Sequence, residues 1–224
     1  PEAEPRSTHI SNNTTTLNQP GFQEGSIFTH STLTAGGHHT CGILDNRSLM
    51  CWGLNDDGQL GNSNFSFHNS PQSVNFSAGL SAVAVTSGES HTCSITDNGS
   101  VYCWGRGANG QLGNNQTTYP GWPYTGDSSP QEVDFGENRS AVTIGSGEHH
   151  TCAILDDASL KCWGWNVHGG LGIGTTNPSS PFGVSTPQSV SFPYWLFGGS
   201  WNSPPATPLA VAISAGGTHT CAIF

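Results

Sequence analysis

The chain has 224 residues, of which only 9% are charged, and its five Lys and Arg against fifteen Asp and Glu give a formal net charge of −10 at pH 7. A phosphate-binding surface needs several clustered cations, so this charge balance argues against nucleic-acid binding. No run of about 18 apolar residues is present, and the sequence therefore predicts no membrane span.

Two segments follow in chain order. Residues 1–30 are polar, rich in threonine and unlike anything that follows. This composition predicts an N-terminal arm or linker of low intrinsic order. Residues 31–224 contain a repeat, which predicts a repeat architecture. Its hairpin cores lie at 37–61, 89–113 and 148–172, with an incomplete fourth unit at 210–224.

Each hairpin core contains His-Thr-Cys, a polar turn, Cys-Trp-Gly and a glycine-rich run such as Gly-Gln-Leu-Gly. The segment between the two cysteines is apolar, then turn-forming, then apolar, which is typical of a β-hairpin. A turn centred on the middle residues places the cysteines opposite each other, near the separation that a disulfide needs. The predicted pairs are Cys41 with Cys51, Cys93 with Cys103, and Cys152 with Cys162. Cys221 is left unpaired, and its expected partner would lie beyond Phe224.

Two further apolar segments follow each core: 70–76 and 82–86 after the first, with counterparts that begin at Pro130 and Ala141 after the second and at Pro187 and Ala210 after the third. Each unit therefore contains four short strands, and successive His-Thr-Cys motifs begin 52, 59 and 69 residues apart. A four-stranded β-propeller blade has this size. The predicted fold is all-β, with essentially no helix and about three and a half antiparallel blades forming part of a ring.

The repeated pattern Gly, His-Thr-Cys-Ala-Ile-Leu, turn, Cys-Trp-Gly-x-Asn and Gly-Gln-Leu-Gly-Asn resembles the repeat of the regulator of chromosome condensation family. The resemblance covers about 32–172 well and 211–224 in part, and it implies a blade of a seven-bladed propeller. For the founding member the family implies nucleotide exchange on a small nuclear GTPase and chromatin binding. The acidic composition and the cysteine pairs depart from that member, and the pairs are similar to those of secreted prokaryotic variants.

Asn-x-Ser/Thr sequons are about twice as frequent as chance predicts for this composition. With paired cysteines and one Lys, they favour a secreted, glycosylated protein at an extracellular surface. For Asn46 and Asn98, a simple turn-forming role is an equal alternative. The eight candidates are Asn12, Asn13, Asn46, Asn64, Asn75, Asn98, Asn115 and Asn138.

Two inserts are rich in aromatic residues, and these are the candidate binding residues. The loops of equivalent repeats emerge on a common face, so we expect the insert at 115–129 to share one rim with the equivalent insert at 173–186, whereas the insert at 192–208 lies at the next connection. Aromatic side chains on such loops could stack on sugars or dock another subunit. Alternatively, they fold back over their own blades. The candidates are Tyr119, Trp122 and Tyr124 in the first insert and Tyr194, Trp195 and Trp201 in the second.

No nucleophile elbow or phosphate-binding loop is present, so we expect a protein that is not an enzyme and holds no cofactor. The repeat histidines fall one per blade and would not converge on one ion. We therefore expect no metal site and assign these histidines a structural hydrogen-bonding role. They are His39, His91, His150 and His219.

The leading functional hypothesis is an extracellular structural or adhesive module that acts by protein–protein contact, as in a surface appendage or self-assembly. It is motivated by the incomplete last blade, because an open sheet edge tends to be paired or covered. One alternative is a glycan-binding lectin that uses the aromatic inserts. Another is a secreted protein inhibitor, as in the β-lactamase inhibitory propeller that the repeat also resembles.

Overall fold

The structure is a computed structural model. It describes the backbone of two short strands near the N-terminus, at 14–16 and 27–29, and residues 32–76, 79–117, 126–136, 139–177, 179, 182–191 and 209–224. These residues form strands, turns and loops, and no helix occurs among them. The same part of the chain has no helix that could span a membrane.

Three four-stranded antiparallel sheets make up most of the fold, each with its strands in chain order. Blade 1 consists of β3 (Leu33–Ala35), β4 (His39–Ile43), β5 (Leu49–Gly53) and β6 (His68–Ser73). Blade 2 consists of β7 (Ala82–Ser87), β8 (His91–Thr96), β9 (Val101–Arg106) and β10 (Gly126–Glu132). Blade 3 consists of β11 (Ala141–Ser146), β12 (His150–Leu155), β13 (Leu160–Trp165) and β14 (Gly183–Ser189).

The remaining strands form two smaller sheets. β15 (Ala212–Ala215) pairs with β16 (Thr220–Ile223) as the start of a fourth blade. β1 (Thr14–Thr16) pairs with β2 (Ile27–Thr29), also antiparallel. Part of the segment predicted as an arm of low order therefore forms a two-stranded sheet.

The blades lie side by side. The first strand of each blade contacts the first strand of the next, so β3, β7, β11 and β15 form a series. The second strands β4, β8 and β12 also contact the first strand of the following blade. This arrangement confirms the all-β propeller of four-stranded blades that the repeat predicts.

The fourth strand of each blade begins earlier than the sequence pattern predicts. β6 begins at His68, whereas the pattern placed its start at Ser70, and β10 and β14 begin four residues before Pro130 and Pro187. Each of these strands has a register irregularity against its neighbour. The prolines are tolerated within them because all three are edge strands.

The core lies between blades. One cluster joins Cys41, Cys51 and Leu60 of blade 1 to Val85 and Trp104 of blade 2. Trp104 and its equivalent in blade 3 are completely buried. Because an indole buries a large apolar area, these tryptophans help to hold neighbouring blades together.

Candidate functional site

The cysteine pairs lie at the centre of each hairpin. Cys41 is opposite Cys51, Cys93 opposite Cys103, and Cys152 opposite Cys162. In each pair the Cα atoms are 4.1 Å apart and the sulfur atoms are at bonding distance. All six side chains are buried, whereas Cys221 is exposed and unpaired.

A hydrogen-bond network joins blade 1 to blade 2. The Thr92 hydroxyl donates to the Gln59 carbonyl at 2.9 Å and lies 2.7 Å from His39 Nε2. Because this hydroxyl gives its own proton to Gln59, it accepts one from His39, which assigns the neutral Nε2–H tautomer. The Gln59 carbonyl also accepts the indole N–H of Trp104 at 3.0 Å.

The same network recurs between blades 2 and 3. His91 Nε2 lies 2.9 Å from the Thr151 hydroxyl, and both this hydroxyl and the Trp163 indole donate to the Gln111 carbonyl. His150 likewise lies 2.9 Å from the Thr220 hydroxyl of the partial blade. Three of the four repeat histidines therefore link one blade to the next, as the structural role assigned to them requires.

The linking histidines are held neutral. Burial and, to a smaller extent, the charge interaction with His38 together lower the pKa of His39 to about 4. Burial is also the main cause of the lowered pKa of His150, which is about 4, and of His91, which is about 3. An uncharged imidazole with one N–H is the form that the network needs.

One end of the strands forms what we call the loop face, which contains two sets of connections. The first set is the turns between first and second strands, at 36–38, 88–90 and 147–149. The second set is the loops between third and fourth strands, of which 54–67, 107–117, 166–177, 179 and 182 are described. Backbone bonds from Leu54 to His38, from Arg106 to Ser90 and from Trp165 to His149 join the two sets.

A buried asparagine holds the long loop of blades 1 and 3. Asn166 accepts the Leu171 amide at Oδ1 and donates to the Thr175 carbonyl from Nδ2. Asn55 makes the equivalent bonds in blade 1. The loop shape is therefore fixed from inside, which leaves its outer side chains free for contact.

Among the described residues, two aromatic side chains are exposed on the loop face. Phe67, just before β6, is 72% exposed, and Phe182, just before β14, is 44% exposed. Sequence reasoning missed both, although each lies between the glycine-rich run and the fourth strand, which is the segment where aromatic residues were sought in blade 2. The predicted binding residues lie outside the described residues: Tyr119, Trp122, Tyr124, Tyr194, Trp195 and Trp201.

The structure describes five of the eight sequon asparagines. Asn46, Asn75, Asn98 and Asn115 are exposed, and Asn64 is half-buried. Asn46, Asn64 and Asn98 accept the backbone amide of the serine two residues later, which is a turn-stabilising bond. Asn12, Asn13 and Asn138 lie outside the described residues.

A shallow depression of about 370 Å³ lies on the long loop of blade 3. Its lining consists of Gly169, Gly174, Thr175 and Thr176. The described lining offers the hydroxyl groups of two threonines.

Four-stranded antiparallel blades in series, joined by a repeated cross-blade network, define a β-propeller repeat protein. The regulator of chromosome condensation (RCC1) repeat matches residues 48–95 and 98–154. A second description of the same repeat matches 31–59, 82–111 and 141–169. The chain belongs to the regulator of chromosome condensation repeat family.

Similar proteins include the ultraviolet-B receptor UVR8 of Arabidopsis thaliana, which is 32% identical over 64% of this chain and 31% of the receptor. The probable E3 ubiquitin-protein ligase HERC6 of Homo sapiens is 27% identical over 84% of this chain and 16% of the ligase. Among solved structures, Prp20p of Saccharomyces cerevisiae matches with a TM-score of 0.70 at 16% identity, over 89% of this chain and 44% of that protein. The chain thus spans less than half of each of these proteins.

Proposed function

We propose that the chain is a non-catalytic propeller module that binds another protein through its loop face and works in an oxidising, extracellular setting. It would serve there as a structural or adhesive part of a larger assembly. The observation that carries this proposal is the pair of exposed aromatic side chains, Phe67 and Phe182, in equivalent loops of two blades.

Exposed aromatic side chains on the loop face suit a protein-binding surface. Aromatic residues are enriched at protein–protein interfaces. Phe67 and Phe182 belong to loops that follow partly buried strands and that a buried asparagine holds from inside, so the scaffold beneath them is rigid. A rigid scaffold lowers the ordering cost of binding.

The paired cysteines support the extracellular setting. Six buried cysteines lie at bonding distance in three equivalent hairpins. Disulfides persist in oxidising compartments and are rare where glutathione keeps thiols reduced. The exposed sequon asparagines of the hairpin turns and loops are accessible to glycosylation in such a compartment.

Similar propellers support a protein partner. A solved structure of Prp20p is described with its binding to Gsp1p and histones, and another shows Kap60 bound to it. The human ligase relatives are enzymes by name, but this chain matches only 16% of HERC6. We therefore take from these relatives the use of a propeller as a binding surface and not their activities.

The test compares two variants of matched chemistry in partner capture from the extracellular fraction of the source tissue. Phe67→Ser with Phe182→Ser removes the aromatic groups of the loop face. Leu44→Ser removes an exposed apolar side chain from the β4–β5 turn at the opposite end of the strands. We expect the double variant to lose the captured protein and Leu44→Ser to retain it.

Equal capture by all three proteins would contradict the proposal. A glycan array on the same proteins separates protein binding from the lectin alternative, whose aromatic candidates lie outside the described residues. Inhibition of an enzyme by the captured complex would instead favour the inhibitor alternative.

A further inference from the structure

A cluster of three ionisable side chains joins blades 2 and 3 on the loop face. His149 Nε2 lies 3.5 Å from Glu89 Oε2 and 3.6 Å from Glu148 Oε1. One ligand atom from each residue lies within 4.8 Å of the other two. Glu89 comes from the turn of blade 2, whereas Glu148 and His149 come from the turn of blade 3.

We propose that Glu89, Glu148 and His149 form a binding site for a divalent transition-metal ion of the zinc type. An ion with tetrahedral bonds of about 2.0–2.1 Å holds its ligand atoms about 3.4 Å apart. The two separations from His149 Nε2 match this spacing. One imidazole with two carboxylates is also a donor set that suits such ions.

The charge of the cluster favours a cation. Among the described residues, no Lys or Arg nitrogen forms an ion pair with either carboxylate, and the Arg ion pairs join Arg139 to Asp156 and Asp157. Two carboxylates beside a single imidazole make the cluster negative, and a divalent ion balances that charge. Each carboxylate is partly exposed, so an ion can enter from solvent.

The backbone beneath the cluster holds the ligands in place. The Glu89 amide donates to the Glu148 carbonyl at 3.0 Å, and the Glu148 amide donates to the Gly217 carbonyl at 3.1 Å. A Cβ atom at Gly217 would come within 3.3 Å of Glu148 Oε2, so the absence of a side chain at residue 217 makes room for this carboxylate. The two glutamates are thus fixed relative to each other by the contact between blades.

The first blade supplies a matched control. His38 occupies the turn position that His149 has in blade 3, but its preceding neighbour is Gly37, in the place of Glu148. His38→Gln therefore removes an imidazole from an equivalent turn that lacks the carboxylate. His149→Gln removes one from the complete cluster.

The experiment measures zinc binding by isothermal titration calorimetry on the intact, oxidised chain. A Cys221→Ser background prevents the exposed thiol from binding the ion. We expect one zinc ion at the tightest site, binding weakened at least about tenfold by His149→Gln and by Glu89→Gln, and no change with His38→Gln. X-ray absorption should show nitrogen and oxygen ligands at about 2.0 Å.

Absence of zinc binding, equal affinity of His149→Gln and the parent, or equal weakening by His38→Gln would each overturn the proposal. Circular dichroism verifies that every variant is folded. Magnesium should not displace the zinc, because magnesium prefers oxygen ligands and near-ideal octahedral geometry. Phe67→Ser with Phe182→Ser should leave zinc affinity unchanged, so failure of this site and failure of the proposed function are distinguishable.

Discussion

Replacing Thr92 by Val tests the network between blades 1 and 2. Valine has nearly the shape of threonine but can neither donate to the Gln59 carbonyl nor accept from His39. The carbonyl keeps the Trp104 indole as a donor. The His39 Nε2–H, in contrast, is left buried without an acceptor. The cost of that unsatisfied donor, added to the lost bonds, is about 2–3 kcal/mol in the free energy of unfolding.

Thr40→Val is the matched control. Thr40 occupies the same position of blade 1, but it is half-buried and its hydroxyl makes no hydrogen bond within the described residues. We expect Thr40→Val to change stability by less than about 0.5 kcal/mol. Urea denaturation measures both variants, and the expected midpoint shift in heating experiments is about 5–10 °C for Thr92→Val.

A double-mutant cycle completes the test. Once His39→Ala has removed the donor, Thr92→Val should cost less, with a coupling energy of about 1–2 kcal/mol. Nitrogen NMR of the parent should show the proton of His39 on Nε2. A Thr92→Val variant as stable as Thr40→Val, or additive costs in the cycle, would refute the network as an energetic link between blades.

Three further predictions concern the same scaffold. The pKa of His39 is about 4 in the folded protein and about 6.5 when unfolded, so the unfolded chain binds more protons between these values. His39 alone should therefore lower the free energy of unfolding by about 3 kcal/mol as pH drops from 7 to 3.5. Urea titrations at several pH values should show that His39→Gln removes this part of the pH dependence. Gly147→Ala should lower the free energy of unfolding by about 2–3 kcal/mol, because its Cβ would overlap the His150 ring and the Gly216 carbonyl. Gly145→Ala is the control and should be near neutral in the same assay, because its Cβ would lie 3.6 Å from Ile213. Alkylation of the unreduced, unfolded chain followed by mass measurement should find one reactive thiol, that of Cys221, and seven reactive thiols would contradict the oxidised state. Cys93→Ser with Cys103→Ser should lower the free energy of unfolding, measured in urea, by about 2–3 kcal/mol.

The sequence was most informative where structure is local. Cys93 and Cys103 are ten positions apart, with turn-forming residues in the middle, which leaves few registers for a hairpin, and the structure places these cysteines opposite each other. The start of β10 was predicted too late because its bulge interrupts the alternation of side chains. Irregular registers of this kind have no fixed spacing to recognise.

Contacts between blades were beyond reach of the sequence pattern. His39 and Thr92 are 53 residues apart, and Glu89 and His149 belong to different units. The repeat shows that such residues are equivalent, but the rotation between blades decides which ones meet. The one-per-blade spacing of the repeat histidines was enough to predict a structural role for them. It could not show that His149 and Glu89 of the neighbouring blade would meet.

The burial of the tryptophans shows that each blade is stabilised by packing against its neighbour and not by its own contacts alone. Trp104 and Trp163 are completely buried beneath the glycine-rich run of the preceding blade, whereas Trp52, whose blade has no preceding four-stranded sheet among the described residues, is only half-buried. In repeat proteins, stability is a sum of unit terms and nearest-neighbour terms. Here the interaction energy between neighbouring blades comes in part from a histidine, a threonine, a glutamine carbonyl and an indole, all beneath the loop face. The glutamine belongs to a loop of the loop face, but it is fully buried, so exposed residues such as Phe67 and Phe182 can change while the scaffold stays the same.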